Sequence, residues 1–267
     1  MAGPKRSTKA KPGEWRELVR FILTIGFIAI VLRAFVFASF NIPSASMLPG
    51  LMVGDYLFVT KWNYGWSRYS LPFHVPLIEG RAFAELPARG DVVVFKYPGP
   101  SKVDYVKRVI GLPGDQIQVR GGAVFINGRG VTRTRIADWP MPVSANSPCR
   151  QLADNVRDEG DTCIYPRYRE TLPGGKSYEV LDHGVSRFDD TDVFVVPDGH
   201  LFMLGDNRDD SLDSRVPVSA DGVGFVPLDH LVGKAGLSFW STDGSAALLK
   251  PWTWVSAARF DRIGETY

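Results

Sequence analysis

Apolar positions in this chain cluster near its start. Between residues 18 and 40, 18 of 23 positions are apolar and the only charges are Arg20 and Arg33. Residues 21–32 carry no charge at all. A helix needs roughly 20 apolar residues to cross a bilayer core, and arginines at its ends can reach outward to the headgroups. The pattern predicts a membrane anchor over residues 18–38. A cleaved signal peptide shares this plan, with Val36 and Ala38 before the cut, although Arg33 after the apolar run is unusual for one. A buried helix of a soluble protein is the third reading, and the basic flank argues against it.

Beyond residue 40 the period falls from helical to two. Short β-branched and aromatic runs recur between turn residues, at 56–61, 91–97, 105–110 and 116–120. Runs 116–120 and 123–126 are separated only by Gly121-Gly122, a strong hairpin signal. Further strands are expected at 193–196, 200–204, 224–226 and 232–240. The class is mainly β. Residues 128–190 differ, being rich in Arg, Asp, Pro and Gly and poor in apolar runs. They are expected to form a smaller β/loop module inserted in the main domain. The expected organisation is a basic N-terminus (1–17), the anchor (18–38), a catalytic β-domain (39–127 with 191–267) and the insert (128–190). A short packed helix is expected within 252–263, with Trp254, Val255 and Ala258 on one face.

Composition changes little in this picture. The chain has 267 residues, 45% hydrophobic and 22% charged, with 27 glycines and 19 prolines. That is ordinary globular composition and excludes a disordered chain. A mean hydropathy near zero excludes a polytopic membrane protein. The 31 basic and 29 acidic residues nearly cancel, which leaves no nucleic-acid footprint. The useful asymmetry is local: within residues 1–16, Lys5, Arg6, Lys9, Lys11 and Arg16 stand against one acid, Glu14. Positive flanks stay cytoplasmic, so the bulk of the chain is expected outside. There Cys149 and Cys163 become disulfide candidates; free buried thiols are the alternative. The aromatic stretch 62–69 with Phe73 has the composition of an interfacial belt, or of a buried cluster.

Three stretches carry chemistry. In Pro43-Ser44-Ala45-Ser46-Met47-Leu48-Pro49, two serines stand two residues apart between prolines that fix the backbone. In Tyr105-Val106-Lys107-Arg108-Val109, alternation puts Lys107 and Arg108 on opposite faces, so one of them must point toward what the sheet buries. A lysine in apolar surroundings loses its proton more easily, and a serine hydroxyl is a natural client for such a base. The third, Gly205-Asp206-Asn207-Arg208-Asp209-Asp210-Ser211-Leu212-Asp213-Ser214-Arg215, is too charged to be buried without pairing. A calcium loop is an alternative there, opposed by the arginines and the missing bidentate Glu. The four histidines lie outside the serine and lysine stretches, which weakens a Ser-His-Asp reading.

Together these stretches resemble the boxes of the bacterial type I signal peptidases, membrane-bound serine endopeptidases of preprotein export. Arg89-Gly90-Asp91-Val92-Val93-Val94-Phe95 is similar to a further strand box of that family, and all follow the family's order. Gly50 and Asp210 depart from its pattern, at positions without a catalytic role. The resemblance implies Ser46 as nucleophile, Lys107 as general base and Ser44 as oxyanion donor. Ser211 would orient the Lys107 amine, with Asp213 and Arg215 bracing the loop. It implies exported preproteins as substrates, with small residues at −3 and −1 before the cut. Ile42, Met47 and Leu51, with Phe40, are candidates to line the pockets, core packing being the alternative. No metal and no cofactor is expected, nor a nucleic-acid partner; the bilayer is. The expected location is the bacterial inner membrane, single-pass, with the catalytic domain on the extracytoplasmic side. Two rivals share these features: a specialised relative maturing a pilin or conjugal-transfer subunit, and an inactive membrane-tethered β-domain that binds secretion components. A soluble repressor-cleaving Ser/Lys protease is opposed by the N-terminal apolar segment.

Overall fold

The computed structural model describes residues 12–71, 78–101, 103–247 and 249–267. Lys5, Arg6, Lys9 and Lys11 of the basic flank, and Phe73 of the aromatic stretch, lie outside the described residues. The chain is mainly β, with one long N-terminal apolar helix. Helix α1 (Pro12–Val31) continues as a wider π-type turn, Leu32–Val36. The apolar stretch Trp15–Val36 is 22 residues long, with mean hydropathy 2.2, and is almost wholly unburied. At 1.5 Å per residue it spans about 33 Å, enough for a bilayer core of about 30 Å.

The helix stops at Val36, short of residue 38. Phe37–Asn41 is instead strand β1, paired antiparallel with β2 (Asp55–Thr60) from Phe37↔Thr60 to Asn41↔Tyr56. A helix leaves its last carbonyls without partners, and here the β-domain supplies them. The Lys61 Nζ donates to Arg33 O at 2.9 Å, to Ala34 O at 3.4 Å and to Ser70 O. Trp66 Nε1 donates to Phe35 O at 3.0 Å, and Lys61 N–H to Val36 O at 3.0 Å. Burial, helped by Arg33, pushes the Lys61 ammonium down to about 8.

The main sheet adds β3 (Val92–Lys96), β4 (Asp104–Gly111), β10 (His200–Leu204) and β11 (Leu231–Ser241). Its order is β1-β2-β11-β3-β4-β10, with Val226–Pro227 at the far edge. Strand β3 reads as an unbroken apolar run because both of its faces are covered. Val92 and Val94 pack with Ile42, Met47 and Leu57, whereas Val93 and Phe95 pack with Val109, Leu201 and Met203. Strand β11 is bulged three times against its neighbours. Gly233 lies at one bulge, where a Cβ would come within 2.4 Å of Thr60 O.

Between β4 and the second half of the main sheet lie two smaller sheets. Strands β5 (Gln116–Arg120) and β6 (Ala123–Ile126) form a hairpin whose Gly121 and Gly122 both have positive φ, the backbone of a type I′ turn. Strands β7 (Thr132–Pro142), β8 (Thr162–Thr171) and β9 (Ser177–Leu181), with Arg157–Asp158, form a four-stranded antiparallel sheet. Leu172, Tyr178 and Val180 from this segment pack with Ile110, Ile117, Val124 and Phe202. The 128–190 region therefore has a sheet of its own but shares a core with the rest.

At the C-terminus the helix is only Trp252–Ser256, and Trp252, Trp254 and Val255 are exposed. The expected packed apolar face is absent. The buried groups in this region are Ala257 and the Arg262 guanidinium.

Candidate active site

Ser46 lies in a 3₁₀ turn, Ala45–Met47, that opens directly after β1 and Ile42-Pro43-Ser44. The extended Ser44 and Pro43 hold the chain out of helical geometry, so the turn presents the Ser46 side chain toward β4. Lys107 is 2% exposed and Ser46 8%. The Lys107 Nζ donates to Ser46 Oγ at 2.5 Å, and Ser44 Oγ stands 3.4 Å from Ser46 Oγ.

The register of β3 and β4 sets Lys107 opposite Val93 and Arg108 opposite Val92. They occupy opposite faces, as alternation requires, yet both are buried. Alternation requires one of them to face what the sheet buries; here both do, because each has a different compensation. Arg108 forms a two-pronged pair with Asp206, Nε to Oδ1 at 2.8 Å and Nη2 to Oδ2 at 2.6 Å, and its plane lies 4.1 Å over the Tyr178 ring. Among the described residues, no carboxylate is in hydrogen-bond contact with Lys107. Burial therefore dominates and pushes its ammonium down to about 8, against the pull of Asp213, Asp206 and Asp210. A lysine so placed gives up its proton near neutral pH.

The 205–215 loop encloses the pair from the β10 side. The backbone N–H of Asn207 donates to Ser46 O, and its Nδ2 to Ala45 O, both at 3.1 Å. Arg215 grips Asp213 with Nε and Nη2, each at 2.9 Å, and Gly205 N–H donates to the same carboxylate at 3.0 Å. Burial alone would raise the Asp213 carboxyl; Arg215 and Gly205 more than offset it and hold it below the usual carboxylate value. Arg208 is clamped by the buried Glu170 of β8, Nη1 to Oε1 at 2.7 Å. Asp206 and Asp213 are thus consumed by arginines, which removes the donor set of a calcium loop. Among the described residues no cluster of three or more His, Cys, Asp and Glu side chains is placed to hold a metal ion.

Ser211 is buried beside this centre, but its Oγ makes no hydrogen bond, to Lys107 or otherwise. It packs against Gly205, where a Cβ would lie 2.3 Å from Ser211 Oγ and 2.5 Å from Ser46 O. A cavity of about 270 Å³ opens beside the pair, lined by Phe40, Ile42, Ser44, Met47, Tyr105 and Val106 among others. Leu51 does not reach it: fully buried, Leu51 packs with Leu57, Val59 and Val92 in the core.

The sequence profile described as "Signal peptidase, peptidase S26" matches residues 15–240. This chain belongs to the signal peptidase S26 family. Proteins named signal peptidase I from Rickettsia conorii and Rickettsia prowazekii are similar to it. The first is 36% identical over 96% of this chain and 93% of its own length; the second is 37% identical over 88% of each. A solved signal peptidase I chain from Enterococcus faecalis aligns with TM-score 0.30 and 25% identity, covering 56% of this chain and 97% of that one.

In this S26 peptidase, Asp55 belongs with Gly54 to the serine box that the sequence displays, but its partners Arg262 and Ser241 stand in no such box. Asp55, wholly buried, takes Arg262 Nε and Nη2, Ser241 Oγ and Met52 N–H at 2.7 to 3.1 Å. Arg262 also donates to Gly50 O at 2.7 Å. This cluster fixes the loop directly behind the Ser46 turn. Its partners lie 207 residues apart, so no local pattern announces them; the only signal is an acid heading an apolar strand. Cys149 and Cys163 are disulfide-bonded, which tethers the 144–150 segment to β8.

Proposed function

We propose that this S26 peptidase is a membrane-anchored serine endopeptidase that removes N-terminal signal peptides from exported preproteins through Ser46 and Lys107. One observation carries the reading: the buried Lys107 amine, its proton affinity lowered by burial, meets the Ser46 hydroxyl at 2.5 Å. Neutral Lys107 takes the hydroxyl proton as Ser46 Oγ bonds to the scissile carbonyl carbon. The carbonyl oxygen becomes an oxyanion, received by Ser44 Oγ and the Ser46 backbone N–H. Collapse expels the amine of the mature chain, protonated by Lys107, and leaves an acyl-enzyme. Water gives a proton to Lys107 as it attacks the ester; collapse then breaks the ester bond, Lys107 returns the proton to Ser46 Oγ, and the signal peptide leaves. A Ser/Lys pair is a variant of triad logic that needs no histidine.

Asp213 and Arg215 act as positioning residues, holding the loop that backs Lys107. The cavity beside Ser46 suits small side chains, because Ile42, Met47 and Val106 fill its walls. The α1 helix and the basic residues before it support a single pass with the β-domain outside the cytoplasm, and the Cys149–Cys163 bond suits that oxidising side. The test uses the full-length protein in detergent with a labelled preprotein. Ser46→Ala and Lys107→Ala, each still folded, abolish cleavage; retained cleavage in either variant overturns the assignment.

A further inference from the structure

A second cavity, of about 320 Å³, shares Pro43 and Ser44 with the first but is otherwise lined by different residues. The first borders β1, the strand that leaves the anchor helix, and is walled largely by apolar side chains. The second is walled by Ala45, Leu48 and Val53 from the nucleophile region and by Met141, Asn146, Ser147, Pro148, Arg150 and Tyr165 from the insert. A peptide cut at Ser46 must extend in both directions from the scissile bond. Its signal half arrives from the membrane, on the anchor side, so the half that leaves must run toward the insert.

The insert wall is built rather than incidental. The Cys149–Cys163 bond ties it to β8 from one side. From the other, Asn146 Nδ2 donates to Val53 O at 3.1 Å and Thr242 O at 2.8 Å, and Arg259 holds Ser144 and Asn146. Arg150 N–H donates to the Tyr165 hydroxyl at 3.1 Å, which sets its backbone. The Arg150 guanidinium touches Asp210 through Nη1 at 2.8 Å yet keeps 49% of the side chain exposed. A guanidinium has five N–H donors, so its outer edge is left for an incoming acceptor.

We propose that this second cavity receives the residues just after the cut, and that Arg150 makes it favour an acidic side chain there over a basic one. The inference rests on the proposed Ser46 endopeptidase reading and deepens it by assigning the leaving half of the substrate. It also gives the 128–190 insert a role in substrate choice. An exposed charge contact of this kind is modest, so the expected discrimination is on the order of fivefold.

The experiment uses the full-length protein in detergent and peptides identical up to the cut, carrying Glu, Gln or Lys at the first three positions after it in turn. Wild type shows a kcat/KM ratio of Glu over Lys peptide of about five at one of these positions. Arg150→Ala brings that ratio to about one, Arg150→Glu inverts it, and Arg150→Lys restores most of it. Each ratio is internal to one variant, so a partly misfolded preparation does not disturb it. A ratio near one in wild type at all three positions, or an unchanged ratio in Arg150→Ala, overturns the inference. If instead no peptide is cut, or cutting survives Ser46→Ala, it is the endopeptidase reading that fails.

Discussion

Replacing Lys107 with methionine removes an amine from a site with no carboxylate touching it and keeps most of the side-chain volume. Its proton affinity falls from the usual 10.5 to about 8 on folding. At about 1.4 kcal/mol for each tenfold change, the charged amine costs the fold about 3 kcal/mol below pH 8. Methionine loses the hydrogen bond to Ser46, worth about 1 kcal/mol, so the expected net gain is about 2 kcal/mol at pH 7. For a chain of this size that raises Tm by roughly 4 to 8 °C, read by thermal unfolding in detergent. The sign with pH follows from the lowered affinity. Between pH 8 and 10.5 the unfolded chain binds more protons than the native one, so wild-type stability rises with pH. The gap to the methionine variant must therefore narrow across that window and reverse above it, where only the lost hydrogen bond remains and the variant is about 1 kcal/mol less stable than wild type. A variant that melts at or below wild type at pH 7, or a gap that ignores pH, would refute the reasoning.

Three further outcomes follow from the same geometry. On the proposed mechanism Lys107 acts as the neutral amine, so preprotein cleavage in a pH series should fall about tenfold per unit below pH 8 and level off above it; a flat profile from pH 6 to 9 contradicts this. Ser44→Ala removes one proposed oxyanion donor and should lower kcat about 10² to 10³-fold with little change in KM, measured by steady-state kinetics. Arg262→Met leaves Asp55 buried without its cation and should cost about 3 to 5 kcal/mol, while adding Asp55→Asn to the same chain should recover part of the lost Tm.

What could be read from the sequence divides by distance along the chain. The Gly121-Gly122 hairpin and the β3 run depend on neighbours a few residues away, and their strands form where the pattern puts them. The Ser46 and Lys107 stretches were visible through their local context, although their 2.5 Å meeting across 61 residues is a property of the fold. Strands β7 and β8 were hidden because their outward positions include Arg133 and Arg167, whose partners Asp182 and Glu179 stand on other segments. The burial of Arg108 was hidden likewise, since Asp206 neutralises it from 98 residues away. Trp254 and Val255 misled in the opposite direction: apolar residues at helical spacing do not pack when the helix ends after five residues.

The joint between α1 and the β-domain has a consequence for where a cut falls. Lys61 and Trp66 leave no slack at the helix end, and β1 is hydrogen-bonded from its first residue. Five residues of strand advance about 17 Å, and the Ser46 turn follows within five more. On the proposed reading the protein works as a height gauge, with its blade held at one level above the bilayer surface. A preprotein bond is then selected by how far it has risen from the membrane as much as by the small side chains around it.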